Sequence, residues 1–184
     1  MTDRPIKILG VAGSLRAESW NKKLLRAAAA LAPEGASVTE FDLAEIPLYN
    51  EDLRTAGGHP AVTAFREAIA AHDALLLVTP EYNYGIPGVL KNALDWASRP
   101  PSPPFAMKPS ATLGGSPGLH GAVRAQTQLR ELLLGLGAIV CPKPEVYVGK
   151  INEKFDAEGR LTDEATAKLV RELVGNLVAL ARRF

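Results

Sequence analysis

The sequence predicts an α/β fold, a parallel sheet wrapped by helices on both faces. Three observations carry that prediction. Short β-rich runs alternate with helical patterns from end to end. One run, Ala74-Leu75-Leu76-Leu77-Val78, is apolar without interruption, as a strand covered on both faces must be. Glycine- or proline-rich loops follow three of the runs, at Gly13, Pro80 and Gly114. With 184 residues the chain is long enough to bury a full core as a single domain, 1–184, without disulfides or metal.

Each element follows from local pattern. Ile6, Ile8, Leu9 and Val11 form a first strand that feeds the turn Gly10-Val11-Ala12-Gly13-Ser14. A helix opening near Ser19 to Asn21 carries Leu24, Leu25, Ala28, Leu31 and Ala32 at helical spacing, and Pro33-Glu34-Gly35 stops it. Val38, Phe41 and Leu43 give a second strand, whereas 46–53 is too irregular to assign. Pro60 opens the next helix, with Val62, Phe65 and Ile69 on its apolar side. After the central strand and its loop, 89–98 is helical until Pro100 ends it. Ala111-Thr112-Leu113 leads into Gly114-Gly115-Ser116-Pro117-Gly118, a second glycine loop at a strand end. The helix over 121–136 carries Leu129, Leu132, Leu133, Leu134 and Leu136, more apolar surface than one face needs. Either it is deeply buried or it meets another subunit. Ile139-Val140-Cys141 and Val146-Tyr147-Val148 read as one interrupted fifth strand. Thr162 or Asp163 caps a last helix with Leu169, Leu173, Leu177 and Leu180 along one side, and Arg182 and Arg183 suit its negative end.

Five strands fit the flavodoxin-like three-layer sandwich, order 2-1-3-4-5, whose winding reverses between the first and third strands. Ligands of such sheets bind outside the carboxyl ends of the strands at that reversal. The loops at Gly13, Pro80 and Gly114 therefore converge on one site.

Composition narrows the class of ligand. Lysine plus arginine (21) nearly balance aspartate plus glutamate (20), so no strong field points toward nucleic acid or an anionic membrane. Small molecules are the expected partners. Cys141 is the single cysteine, and the N-terminal stretch lacks a long apolar run. Together they predict a cytoplasmic protein without an intramolecular disulfide.

The first loop, Gly13-Ser14-Leu15-Arg16-Ala17-Glu18-Ser19-Trp20-Asn21, sets hydroxyls, an amide and a guanidinium beside a helix N-terminus. Those donors suit a phosphate monoester. The loop lacks both the Walker A ending and the Gly-x-Gly-x-x-Gly spacing of dinucleotide folds, so a mononucleotide is expected. Ser19 alone also reads as a plain helix cap, and Arg16 as a surface charge. The second loop, Thr79-Pro80-Glu81-Tyr82-Asn83-Tyr84-Gly85-Ile86-Pro87-Gly88, adds two large aromatics that a turn does not require. They either fold back on their own domain or present flat surface to a planar heterocycle. Its amides around Gly85 are expected to approach that ring closely, and the small side chains of the third loop suit either a backbone passing close to the ring or a plain strand-to-helix turn.

The combination Gly-Ser-Leu-Arg-x-x-Ser-x-Asn, Pro-Leu-Tyr-Asn, Thr-Pro-Glu-Tyr-Asn-Tyr-Gly-Ile-Pro-Gly-Val-Leu-Lys-Asn-Ala-Leu-Asp-Trp and Gly-Gly-Ser-Pro-Gly resembles the NADPH-dependent FMN reductase family across 6–148. These flavodoxin-like enzymes include quinone, azo-dye and chromate reductases. The resemblance implies bound FMN, with NADPH or NADH as reductant and small molecules as electron acceptors. By it, Ser14, Leu15, Arg16, Ser19 and Asn21 border the FMN phosphate, and Pro80, Glu81, Tyr82, Asn83, Tyr84 and Gly85 border the isoalloxazine, with Ser116 nearby. It also implies a homodimer or homotetramer. Because the cofactor performs the redox step, no catalytic side chain is required. Amides near Asn83 to Gly85 are expected to stabilise negative charge on the reduced ring.

Two rival functions share the fold. A flavodoxin-type electron carrier needs a strongly charged docking face, which a net charge of +1 does not offer. A phosphate-signalling receiver needs acidic residues at the first strand end, where Gly13-Ser14-Leu15-Arg16 stands. His59, His72 and His120 lack metal-ligand spacing, and Cys141 reads as a small buried hydrophobe. Asp95 and Trp96 read as packing or surface features, and Arg124 and Glu145 as solvated or intersubunit charges.

Overall fold

The computed structural model describes residues 4–184. Seven-residue β1 (Ile6–Ala12) lies between β2 (Ala36–Phe41) and β3 (Ala74–Val78), and β4 (Pro109–Gly115) continues the sheet beyond β3. Every pairing is parallel and the order is β2-β1-β3-β4-β5. Two short strands complete the edge. β5 (Ile139–Val140) pairs with Pro109 and Ser110, and β6 (Val146–Val148) pairs with Leu113, Gly114 and Gly115. They are the two pieces of the interrupted fifth strand, since both lie along the same side of β4.

The period of two along β3 divides the core. Ala74, Leu76 and Val78 face one layer, with α1 (Trp20–Ala30) and α6 (Glu164–Ala181) packed over them. Leu75 and Leu77 face the other, against α3 (Pro60–Ala71), α4 (Gly88–Ala97) and α5 (Val123–Gly135). Leu24 and Leu25 of α1, Phe65 and Ile69 of α3, and Leu90 and Leu94 of α4 are essentially inaccessible. Burying each such side chain is worth about 1.5–3 kcal/mol, more than any helix propensity in the same stretch, so packing decides where these helices lie.

Three elements depart from the sequence pattern. The stretch 46–53 leads into a short helix, α2 (Glu51–Thr55), capped by Asn50, whose side chain accepts the Asp52 amide at 2.8 Å. It is too brief for hydrophobic period to reveal. In α5, Leu129 and Leu133 are buried while Leu134 is 61% exposed, so the leucine excess is split between core and surface. In α6 the buried line runs through Val170, Leu173, Val174 and Leu177, which turns Leu169 toward solvent. Asp163 rather than Thr162 caps that helix, accepting the Thr166 amide at 2.9 Å.

Candidate functional site

The carboxyl ends of β1, β3 and β4 open onto one cleft enclosing about 150 Å³. Ser14, Arg16 and Ser19 line one side, continued by Trp20 and Asn21 from the first turn of α1. Pro80, Glu81 and Tyr82 line the second side; Gly115, Ser116, Pro117 and Ile151 close the third. Larger hollows exist, including one of about 710 Å³ bordered by Pro33, Glu34, Arg182 and Arg183. Its walls belong to α6 and the turn after α1, away from the strand ends, and chemistry rather than volume singles out the smaller cleft.

The first loop is pinned to the sheet where the Gly13 amide donates to the Val78 carbonyl at 2.8 Å. Ser14 and Ser19 are buried. The Ser19 hydroxyl oxygen accepts the Lys22 amide at 3.4 Å as the cap of α1, and its O–H remains a donor toward the cleft. Capping and cup therefore coexist in one side chain. The Ser14 and Leu15 amides donate to no acceptor among the described residues. Among the same residues the Arg16 guanidinium enters no ion pair or hydrogen bond, although it borders the cleft. An unspent cation, the Ser14 and Ser19 hydroxyls and the start of α1 thus border the same space, with free amides in the adjoining turn, donors of the kind an anion requires.

The second loop is a tight hairpin. The Tyr82 and Gly85 amides each donate to the other residue's carbonyl, at 3.1 and 3.0 Å, with Asn83 and Tyr84 at φ 48° and 70° between them. Positive φ at both central positions is the type I′ turn. A tyrosine in that region is strained by about 1–3 kcal/mol, and α5 holds it there. Gln128 Nε2 donates to the Tyr84 carbonyl at 3.1 Å, and the Arg124 guanidinium stacks 4.1 Å above the Tyr84 ring. Tyr82, half exposed, is the aromatic at the cleft; Tyr84 turns toward Arg124. Leu15, Asn83, Tyr84 and Gly85 stand outside the lining. Of the amides expected to serve a ring, from Asn83 to Gly85, that of Gly85 is spent on Tyr82, while those of Asn83 and Tyr84 donate to no acceptor among the described residues.

Glu81 has a task within the fold. Its carboxylate accepts the Arg124 and Ala125 amides at 2.9 and 3.2 Å, and the Arg124 guanidinium at 3.2 Å. Residue Ala122, at the start of α5, offers no side-chain cap, so Glu81 supplies the negative charge and acceptors from 43 residues away. The second loop and α5 are locked together by that contact.

Two glycines of the third loop, Gly114 and Gly115, are required by the protein itself. A Cβ on Gly114 would stand 2.0 Å from the Thr79 carbonyl oxygen, and one on Gly115 would stand 2.7 Å from the Val148 carbonyl oxygen. Packing within the protein is thus sufficient reason for both glycines, whether or not their backbone also approaches a ring. Asn21 forms a paired contact with the Gly115 backbone: Nδ2 donates to its carbonyl and Oδ1 accepts its amide, each at 3.0 Å. The Ser116 amide donates to Val148 at 3.1 Å.

Trp20, Pro117 and Ile151 are lining residues that sequence reasoning missed. Trp20 lay inside the first motif as an unremarked position, packed here on Phe155 at 5.8 Å. Ile151 sits beyond all four motifs and carries no local signal. Other candidates resolve as structure. His59 Nδ1 accepts the Ala61 amide at 3.3 Å as the cap of α3, and Glu145 pairs with Lys143 at 2.9 Å. Asp95 pairs with Lys91 at 2.8 Å, while buried Trp96 donates its indole N–H to the Pro47 carbonyl. Cys141 is buried, which pushes its thiol pKa up. Among the described residues no group of three His, Cys, Asp or Glu is arranged to hold a metal.

The chain matches the family described as NADPH-dependent FMN reductase over residues 6–153. It is 49% identical over 178 residues to an NAD(P)H-dependent FMN reductase of Pseudomonas aeruginosa, covering 97% of this chain and 96% of that one. A 2-hydroxy-1,4-benzoquinone reductase of a Burkholderia species is 41% identical, with 96% and 97% covered. Among solved structures, the flavoenzyme NAD(P)H:(acceptor) oxidoreductase FerB of Paracoccus denitrificans superposes with a TM-score of 0.89 at 36% identity, covering 97% of this chain and 98% of that one. The match in sheet order, in motifs and across nearly the whole length leads to one conclusion: this chain belongs to the NADPH-dependent FMN reductase family.

Proposed function

We propose that this protein is an FMN-containing, NAD(P)H-dependent oxidoreductase working as one domain on free flavin, quinones or similar acceptors by a ping-pong route. The observation that supports it best is the uncommitted Arg16 guanidinium in one cleft with the buried Ser14 and Ser19 hydroxyls and the aromatic side chains of Trp20 and Tyr82. FMN, when bound, supplies the redox chemistry by accepting the hydride of a reduced nicotinamide and yielding its electrons to the acceptor.

The chain supplies binding and orientation. Ser14, Ser19 and Arg16 are assigned to the phosphate, and Pro80 and Tyr82 to one border of the ring, with Ser116 and Pro117 opposite. At about 150 Å³ the enclosed space is below the usual 300–1,000 Å³ of a pocket that engulfs its ligand. A planar ring must therefore lie partly at the mouth, open to nicotinamide and acceptor in turn. No side chain is assigned to acid–base catalysis, since Glu81, the one carboxylate of the lining, is committed to α5. Quinone-type acceptors are favoured by the names of the relatives.

Purified protein is expected to be yellow and to release FMN on denaturation. Anaerobic mixing with NADPH or NADH is expected to bleach it rapidly, and a quinone added afterwards to restore the colour. Yellow protein that neither nucleotide bleaches would instead be an electron carrier, and colourless protein indifferent to added FMN would remove the proposal altogether. No helix among the described residues is long and apolar enough to cross a membrane. Residence in the cytoplasm belongs to the same proposal, supported by the lone unpaired cysteine.

A further inference from the structure

Asn21 lies in the first motif, and its resemblance-based role is to hold phosphate. Its hydrogen bonds point elsewhere. The side chain is 4% exposed, with both polar atoms engaged by the Gly115 peptide at 3.0 Å across 94 residues of sequence. An amide facing a peptide in this paired way satisfies one donor and one acceptor on each side, so neither can be withdrawn without leaving a buried polar group unpaired. Only one Nδ2 hydrogen remains for anything else.

Gly115 is equally constrained. Its carbonyl and amide are held by Asn21, a Cβ placed on it would stand 2.6 Å from Ile151 and 2.7 Å from the Val148 carbonyl oxygen, and the following Ser116 amide is tied to Val148. On the other flank, buried Gln126 donates to the Val146 carbonyl at 3.0 Å, fixing the strand against which this loop rests. Asn21 is thus the direct link between the first turn of α1, where the phosphate donors are, and the loop assigned to the ring.

Resting on the FMN reading, we propose that Asn21 is a positioning residue, a strut that sets the third loop relative to the phosphate cup, and that it is not a phosphate ligand. The two roles separate by ligand. A phosphate donor matters to FMN and not to riboflavin, which lacks the phosphate; a strut matters to both, because the shelf beside the ring moves.

The test compares FMN and riboflavin binding by wild type, Arg16→Ala and Asn21→Ala apoprotein. Asn21→Ala is expected to weaken both flavins by a similar factor, about tenfold, as loss of a buried hydrogen-bonded pair implies. It should also alter the visible circular dichroism of the bound flavin, a signature that a general loss of stability would not move. Arg16→Ala should weaken FMN alone. Asn21→Ala that weakens FMN and spares riboflavin overturns the strut. Should that variant not fold, Asn21→Ser, too short to reach both Gly115 atoms, carries the same expectation. Hydrogen exchange of the Gly115 amide in flavin-free protein gives an independent readout: it should be slow in wild type and faster in the variant. A wild type that binds neither flavin defeats the FMN reading, while exchange at Gly115 still decides whether the strut exists.

Discussion

Arg16 is the residue on which the assignment of the cleft turns. A guanidinium at the mouth of a helix N-terminus, without a carboxylate partner among the described residues, gains a charge-assisted bond only when an anion arrives. Arg16→Ala is expected to weaken FMN by about 1.5–3 kcal/mol and to leave riboflavin unchanged, as measured by fluorescence titration of the apoprotein. Equal losses for both flavins would remove Arg16 from the phosphate. Ser14, Arg16 and Ser19 were legible in the sequence because their chemistry is local, a glycine turn feeding a capped helix. Asn21 and Glu81 were visible as candidates, Glu81 as a residue that orients its loop or meets a neighbouring subunit, but their partners were not. Their partners, the Gly115 peptide and the α5 amides, lie 94 and 43 residues away, and no spacing rule reports a contact made by the fold. Ile151 was silent for the same reason.

At the scale of elements, buried strands and amphipathic helices were legible because period follows burial, and β3, covered on both faces, gave the clearest reading. What escaped was set by length or by exposure: α2 is five residues long, and the leucines of α5 and α6 divide between core and solvent in a way composition does not disclose. Helix α6 also carries two testable features. Gly175 sits mid-helix with nothing within 4 Å of a Cβ placed there, so Gly175→Ala should stabilise the protein by about 0.5–1 kcal/mol in urea unfolding. A destabilised variant would refute the open space beside Gly175. At the same helix's start, a hydrogen bond from Lys154, reinforced by those from Thr166, holds the Asp163 carboxyl at a pKa of about 2. That is below the value of about 3.9 in an unfolded chain, so the ionised cap stabilises the fold above that pH and is lost as pH falls from about 4 toward about 2. Asp163→Asn should therefore cost stability at neutral pH, with the gap to wild type closing across that acid window. A gap independent of pH would sink the linkage.

Taken whole, the molecule carries exposed large apolar side chains on several faces, Met107, Leu134, Leu169 and Phe184 among them, but four stand in the loops that follow strands of the sheet. Leu48 follows β2, Tyr82 and Tyr84 follow β3, and Leu119 follows β4; their exposures are 85%, 52%, 67% and 76%. Leu48 is exposed on a rigid mount. Asn92 and Trp96 both donate to the Pro47 carbonyl at 2.8 Å, while the Tyr49 amide donates to Asn92 Oδ1 at 2.7 Å. A loop clamped on both sides of a leucine cannot fold it away, and covering such a side chain is worth about 1.5–3 kcal/mol. With a net charge of only +1, mutual repulsion between copies is weak. We propose on these grounds that the expected homodimer or homotetramer forms with a second copy covering these side chains. Sedimentation of the yellow protein is expected to show the oligomer, and Leu48→Asp to shift it toward monomer while FMN stays bound. A wild type that sediments as monomer at assay concentration with full activity would refute assembly, and a Leu48→Asp protein that remains oligomeric would move the interface elsewhere.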